Sequence, residues 1–489
     1  MLQFTSTPPS LSQASTLAIP VCEDADIHAD PEILELIARA KAIEEFSGEK
    51  DQQIIFYDRV KDALRRRLLI GVGPRKTITA ETLRRFAGRA IQQAMRAKST
   101  TIAIAAPTAE SLDIQAPIMC NALFEGACLA NHAFTRYKDK PKQNLLKGIA
   151  VLVPNETAKK YKALPARIET ICQGTLLARD WVNTPANDKL PEHLAKAFES
   201  AARQSGLHVK ILDQAQLKRQ KFNALLAVAA GSAHAPRLVE MVYAPPKPER
   251  TIVLVGKGVT FDTGGLNIKP SAGLQTMKGD MAGAAAVAGA MTALARIKPK
   301  QRVIGITPIV ENMPSGSATR PGDIITSYAG KTVEIGNTDA EGRLILADAL
   351  AYAIKTHKPD IIIDLATLTG ACVVALGEKM AGVFSADDDL AAAIVAAGET
   401  TFERCWRMPL LEDYKELLKS DLADISNMPN TRYGGAITAA LFLSEFTIGA
   451  RWAHIDIAGP AASKKGNGYC APGGTGFGVR LLCELLTRL

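Results

Sequence analysis

The segment Thr251–Gly256, T-I-V-L-V-G, has four consecutive apolar residues and no polar face. Such a run must be covered on both sides, as the strands of a parallel sheet are. The chain continues G-K-G-V-T-F-D-T-G-G-L-N-I-K-P-S and then M-K-G-D-M-A-G-A-A-A-V-A-G-A-M. A buried strand, a glycine-rich loop and a small-residue helix over residues 282–290 are therefore expected in that order, which commits this part of the chain to an α/β arrangement.

The same alternation runs through the whole sequence. Strands are expected at 17–21, 68–72, 101–106 and 148–153, with helices at 31–46, 80–97 and 116–131 between them, giving a small α/β domain with a largely parallel sheet. A polar segment near Pro154 leads to a helix over 166–182, which N-T-P-A-N at 183–187 should end because the residue before a proline avoids helix. A second series follows: a helix at 191–205, a strand near Val209, an apolar run at 225–229 and a strand at 238–243. The reading is a smaller N-terminal α/β domain (1–155), a linker helix region (156–185) and a larger C-terminal α/β catalytic domain (186–489) with a central mixed sheet flanked by helices.

Composition narrows the classes of function. The 489 residues are 47% hydrophobic and 22% charged, ordinary for a globular protein with a large core. Apolar runs are too short for a membrane span, and the first residues lack a basic-then-hydrophobic leader, so a cytoplasmic location is expected. Eight cysteines are scattered without C-x-x-C spacing and are expected to be free thiols, and seven histidines show no H-E-x-x-H. Any metal must then be held mostly by oxygen. Net charge is +8 and segregated: acids gather between residues 21 and 58, and bases between 59 and 98, among them Lys61, Arg65, Arg66, Arg67, Arg75, Lys76, Arg84, Arg85, Arg89, Arg96 and Lys98. That pattern suits a nucleic-acid surface, two solvated faces or a subunit contact.

The chemistry gathers in two places. Lys257, Asp262, Lys269 and Asp280 fall on or just after a strand end, where sites lie in open parallel sheets. The loop lacks the G-x-x-x-x-G-K-[ST] of a phosphate loop, and Asp262-Thr263-Gly264 lacks the second D-T-G that aspartic-protease chemistry requires. The other place is N-T-D-A-E-G-R-L at 337–344, after an expected strand at 331–335 and before the helical run L-I-L-A-D-A-L-A-Y-A. In extended backbone Asp339, Glu341 and Arg343 would share one side. By itself the stretch reads more readily as a capped helix with acids in its first turn than as a site. Together, four acids from two loops suit a pair of divalent-cation sites.

V-G-K-G-V-T-F-D-T-G-G, I-K-P, M-K-G-D-M-A-G-A-A-A-V and N-T-D-A-E-G-R-L, in this order and spacing, resemble the leucyl aminopeptidases of the M17 type. The likeness continues through A-T-L-T-G-A, S-D-L-A-D-I-S-N, G-G-A-I-T-A-A-L-F-L, W-A-H-I-D-I-A-G-P-A and G-T-G-F-G-V-R-L-L, covering about residues 166–489. The resemblance implies two divalent metals, manganese, zinc or magnesium, held by Lys257, Asp262, Asp280, Asp339 and Glu341, with Asp262 and Glu341 bridging. It implies Lys269 and Arg343 as catalytic side chains, the latter holding a bicarbonate that shuttles protons. A lysine ligand requires the neutral amine, which nearby cations favour.

The expected activity is release of N-terminal residues, leucine preferred, from short peptides by a metal-activated water. Met277, Thr367, Leu368, Gly370 and Ala458 match positions lining the first side-chain pocket, which would be apolar and weakly selective. A homohexamer enclosing its active sites is implied as well. Some bacterial relatives also bind DNA, and the basic segment makes an additional architectural or regulatory role on DNA the alternative reading.

Overall fold

The structure, a computed structural model, describes residues 2–60, 63–139 and 145–489. It divides into two compact units, Met1–Cys172 with Lys465–Pro472, and Gln173–Lys464 with Gly473–Leu489. Among the described residues no helix is long and apolar enough to cross a membrane.

The first unit carries a six-stranded sheet in the order Leu2–Thr5, Gly148–Leu152, Thr101–Ala105, Thr16–Cys22, Ala63–Gly73, Gln53–Val60. All neighbours are parallel except the last pair. The largely parallel sheet matches expectation. The antiparallel edge and the first strand were not anticipated: Gln53–Val60 reads Q-I-I-F-Y-D-R-V, without the apolar–polar alternation that marks a strand. The expected helix at 31–46 stops at Lys41.

This unit also redistributes the basic segment. Arg66, Arg67 and Arg84 are buried. Arg67 meets Asp58 at 3.0 Å, Arg84 meets Glu81 at 2.7 Å and Glu125 at 2.8 Å, Arg85 meets Glu81 at 2.8 Å, and Arg89 pairs with Asp51. Lys61 lies outside the described residues. The run of bases is thus not one exposed stripe.

The second unit is built on a nine-stranded mixed sheet. Its order is Cys405–Arg407, Ala381–Phe384, Arg451–Asp456, Ile361–Ala366, Thr251–Gly256, Arg302–Asn312, Arg237–Tyr243, His208–Leu212, with Gly258–Asp262 added beside Arg302–Asn312. The four strands from Arg451–Asp456 to Arg302–Asn312 are parallel. Val253, Val255, Ile304 and Ile306 pack with Leu344, Ile345, Ala347 and Ala349 of the helix Gly342–His357. Side chains alternate along a strand, so Ile252 and Leu254 face the other way. On that side lies the helix Ala282–Ile297, whose Val287 and Met291 crowd Gly305. Two helices on opposite faces therefore begin near the same strand ends, and their N-termini frame the site.

Close approach here is a matter of side-chain size. A Cβ on Gly283 would sit 2.1 Å from the Leu365 carbonyl oxygen, so only glycine lets the helix start so near the sheet.

Candidate active site

Lys257 leaves the sheet directly after Thr251–Gly256, its amide still bonded to Leu365 O at 3.0 Å. Its buried ammonium lies 2.9 Å from Asp280 Oδ2 and 2.8 Å from Glu341 Oε1, and donates to Thr367 O at 2.8 Å. Asp262 ends Gly258–Asp262, where the register slips after Val259. Its Oδ1 accepts from Gly264 N at 2.9 Å and Asn312 Nδ2 at 2.8 Å, and its Oδ2 is 2.8 Å from Lys269 Nζ. Lys269 also pairs with Asp339. Asp280 follows the single turn Met277–Gly279, and its Oδ1 accepts from Thr367 Oγ1 at 2.7 Å. Two ammonium groups are thus each set between two carboxylates.

Burial and close charges shift several of the proton equilibria here. Burial, then the charges of Asp262 and Asp280, push Glu341 up to about 8 against the pull of Lys257. Burial raises Asp280 to about 6, with Asp262 adding and Lys257 opposing. Burial also raises Asp339. For both lysines burial works to lower the pKa, but the facing carboxylates more than reverse it, so Lys257 and Lys269 are raised.

The stretch 337–344 is not extended. Residues 338 and 339 form a turn, Glu341 is already in helical conformation (φ −80°, ψ −37°) as N-cap of Gly342–His357, and Arg343 sits in the first turn. The expected common side for Asp339, Glu341 and Arg343 is therefore absent, since successive helical residues rotate away from one another. Asp339 meets Lys269, Glu341 meets Lys257, and Arg343 donates through Nη1 to Asn427 O at 2.6 Å. Burial lowers Arg343 to about 10, although Glu341 and Asp456 oppose it. The expected strand at 331–335 exists as Thr332–Glu334, but it belongs to a separate three-stranded sheet with Ile324–Thr326 and Ile425–Ser426 rather than to the central one.

The five oxygen- and nitrogen-bearing side chains expected around metal thus come together in one place. Asp262, Asp280 and Glu341 each present an oxygen within 4.8 Å of the others. Asp280 Oδ2, Asp339 Oδ1 and Glu341 Oε1 are buried yet accept no hydrogen bond, which leaves three carboxylate oxygens unsatisfied except by facing ammonium charge. A donor set of carboxylates without thiol or imidazole suits hard divalent cations. Of the pocket positions, Thr367 touches Asp280 and Lys257, Leu368 and Ala458 both donate to Asp456, Met277 precedes Asp280 in the same turn, and Gly370 opens the helix Gly370–Leu376.

Three supporting residues were given no role from sequence, although Asn427 and Asp456 lie within the motifs S-D-L-A-D-I-S-N and W-A-H-I-D-I-A-G-P-A. Asn312 ties Asp262 to Thr338 O, Asn427 binds both sides of the 336–340 loop, and Asp456 gathers the 368–369 amides. Each acts across 26 to 91 residues of chain, beyond the reach of any periodicity.

Residues 176–483 match the catalytic domain of the cytosol aminopeptidase family, and residues 20–141 match that family's N-terminal domain. The chain belongs to the cytosol aminopeptidase family. A protein named "Probable cytosol aminopeptidase" from Chlorobium limicola is 43% identical over 506 aligned residues, covering 100% of this chain and 99% of the relative. Among solved structures, a mutant of tomato leucine aminopeptidase superposes with a TM-score of 0.88 at 35% identity, covering 100% of this chain and 96% of that one. The bottromycin maturation enzyme BotP in complex with Mn gives 0.86 at 36% identity, covering 97% and 99%. The two-domain α/β architecture is that of the cytosol aminopeptidases, and the chain is a hydrolase of that family, acting on peptides from the amino terminus.

Proposed function

We propose that the chain releases N-terminal residues, leucine preferred within a broad range, from short peptides, using two divalent cations held by Lys257, Asp262, Asp280, Asp339 and Glu341. The observation that carries this reading is the set of three buried carboxylate oxygens without hydrogen bonds, all turned toward lysine ammonium groups. Those oxygens call for positive charge, which the two lysine ammonium groups supply in this structure. When bound, divalent cations supply Lewis acidity and an acidified water near neutral pH. The Mn complex of a 36% identical structure supports manganese, with zinc and magnesium suited to the same oxygen donors.

The chain's own groups do the rest. Lys257 must lose its proton to donate a lone pair, and Thr367 O and the surrounding carboxylates keep Nζ in place. Lys269 is partly exposed, and its ammonium, held between Asp262 and Asp339, is a cation suited to support negative charge growing on a substrate carbonyl oxygen. Arg343 is a buried, fixed cation and a poor base, suited to holding a small anion such as bicarbonate as proton carrier. Met277, Thr367, Leu368, Gly370 and Ala458 supply a largely apolar wall, which discriminates weakly among side chains. Hexameric assembly and a cytoplasmic location enter this reading from the family resemblance alone. A role on nucleic acid is not favoured, because Arg66, Arg67 and Arg84 are buried, Arg67 is paired with Asp58, and Arg84 with the buried Glu81 and Glu125.

Turnover of leucine p-nitroanilide with added manganese tests the reading. It should be abolished by a chelator and by Glu341→Ala. Turnover that survives both would overturn the metal assignment.

A further inference from the structure

Asp456 is fully buried at the end of the strand Arg451–Asp456, paired in register with Ala366 of the neighbouring strand. Among the described residues it makes no ion pair. Its charge is met by four donors: Oδ1 accepts from Leu368 N at 3.2 Å and Ala458 N at 3.1 Å, and Oδ2 from Thr369 N at 3.1 Å and Thr369 Oγ1 at 2.7 Å. Three of the four belong to the connection between strand Ile361–Ala366 and helix Gly370–Leu376, where the backbone has left the sheet ladder and its amides need other acceptors. Thr367 heads that connection. Its carbonyl accepts from Lys257 and its hydroxyl donates to Asp280.

We infer that Asp456 is a positioning residue, which fixes the 367–370 connection so that Thr367 presents its two oxygens to Lys257 and Asp280 and Leu368 and Ala458 stand at fixed places in the pocket wall. The inference rests on the reading given under Proposed function for what Lys257, Asp280 and the pocket do. A carboxylate is the side chain that can do this, since it accepts at both oxygens and donates at neither. In Asp456→Asn the amide nitrogen would face donors on one side, and the connection would have to move.

The full-length protein is compared with Asp456→Asn and with Thr369→Val, which withdraws the hydroxyl donor to Asp456 together with the N-cap acceptor for Cys372 N, and keeps the three amide donors. Asp364→Asn serves as control: Asp364 is equally buried, bonds Trp452 and His454, and touches nothing in the connection. Three readouts are taken: amide hydrogen exchange over 367–370 in metal-free protein, the manganese Kd by calorimetry, and the ratio of KM for leucine and alanine p-nitroanilides. Asp456→Asn should speed exchange over 367–370 about tenfold or more, and weaken manganese roughly tenfold, as loss of a partner behind a ligand does. It should also shrink the leucine-to-alanine discrimination by raising KM more than it lowers kcat. Thr369→Val, in which Leu368 N, Thr369 N and Ala458 N still have Asp456 as acceptor, should weaken manganese less than Asp456→Asn. Exchange and Kd unchanged in Asp456→Asn, or moved as far by Asp364→Asn, would overturn the inference. If the parent protein itself neither binds manganese nor turns over the leucine substrate, the metal reading fails, and the exchange comparison alone decides whether Asp456 holds the connection.

Discussion

Glu341→Gln separates what the acidic cluster does for function from what it does to stability. Burial and the neighbouring carboxylates raise Glu341 from 4.5 to about 8. A carboxyl raised in this way binds its proton more tightly folded than unfolded, so its contribution to stability is lost as pH rises from about 4.5 to 8. At pH 7 the unfolded carboxyl is ionised and the buried one is mostly protonated. Relative to a group that titrates normally, this costs the metal-free fold about 3 kcal/mol. Glutamine keeps the shape and removes the titration. The expected result is a metal-free variant at least as stable as the parent, and up to about 3 kcal/mol more stable, a rise of about 6 °C at most for a unit of this size. The gain is capped because Lys257 keeps only Asp280 as a direct carboxylate partner. Manganese at a hundredfold excess over Kd should stabilise the parent by about 2.7 kcal/mol and the variant by far less. Thermal melts with chelator and with manganese, at pH 6 and pH 8, measure both quantities. A variant that melts well below the parent without metal would refute the claim that crowded carboxylates destabilise the site. A variant that gains as much from manganese would refute the role of Glu341 as a ligand.

Other outcomes follow from the same geometry. Manganese affinity should rise with pH across about 6 to 8 and beyond, because Asp280 at about 6, Glu341 at about 8 and the raised Lys257 all hold protons that a cation has to displace; calorimetry in two buffers of different ionisation enthalpy counts the protons released, and pH-independent binding refutes it. Gly342→Ala places a Cβ 2.6 Å from Lys257 Cε and 2.7 Å from its Nζ. Only the flexible end of Lys257 stands in the way, so the fold should persist while manganese binding weakens about tenfold or more, and unchanged affinity by titration would contradict that. Lys189, buried, donates to Trp181 O at 2.8 Å, Val182 O at 3.2 Å and Lys278 O at 2.6 Å. Lys189→Met should lose about 3 kcal/mol in denaturant unfolding by leaving these carbonyls unpaired, and a loss well under 1 kcal/mol would show that water replaces the lysine.

Much of the scaffold was legible because its signals are local. A run such as Thr251–Gly256 has one hydrophobic face too many for anything but a doubly covered strand, and the proline at 185 ends the helix Leu164–Asn183 where expected. Misreadings arose where spacing was asked to stand for geometry. The i, i+2 pattern of Asp339, Glu341 and Arg343 suggested an extended segment, yet the helix begins at Gly342 and sends the three side chains to three partners. The bases from Arg59 to Lys98 looked like a surface, but Arg66 and Arg67, on opposite faces of one strand, and Arg84 on a helix are all covered by packing.

The sequence by itself determined which side chains are available to the site and the order in which they arrive, because strand, loop and helix preferences act over a few residues. Only the tertiary structure decided that Lys257 stands between Asp280 and Glu341 and Lys269 between Asp262 and Asp339. It alone left three carboxylate oxygens buried without hydrogen bonds and recruited Asn312, Asn427 and Asp456 to hold the loops. These depend on which strand ends lie side by side in the sheet, and on desolvation, which is a property of the packed interior and not of any stretch of chain.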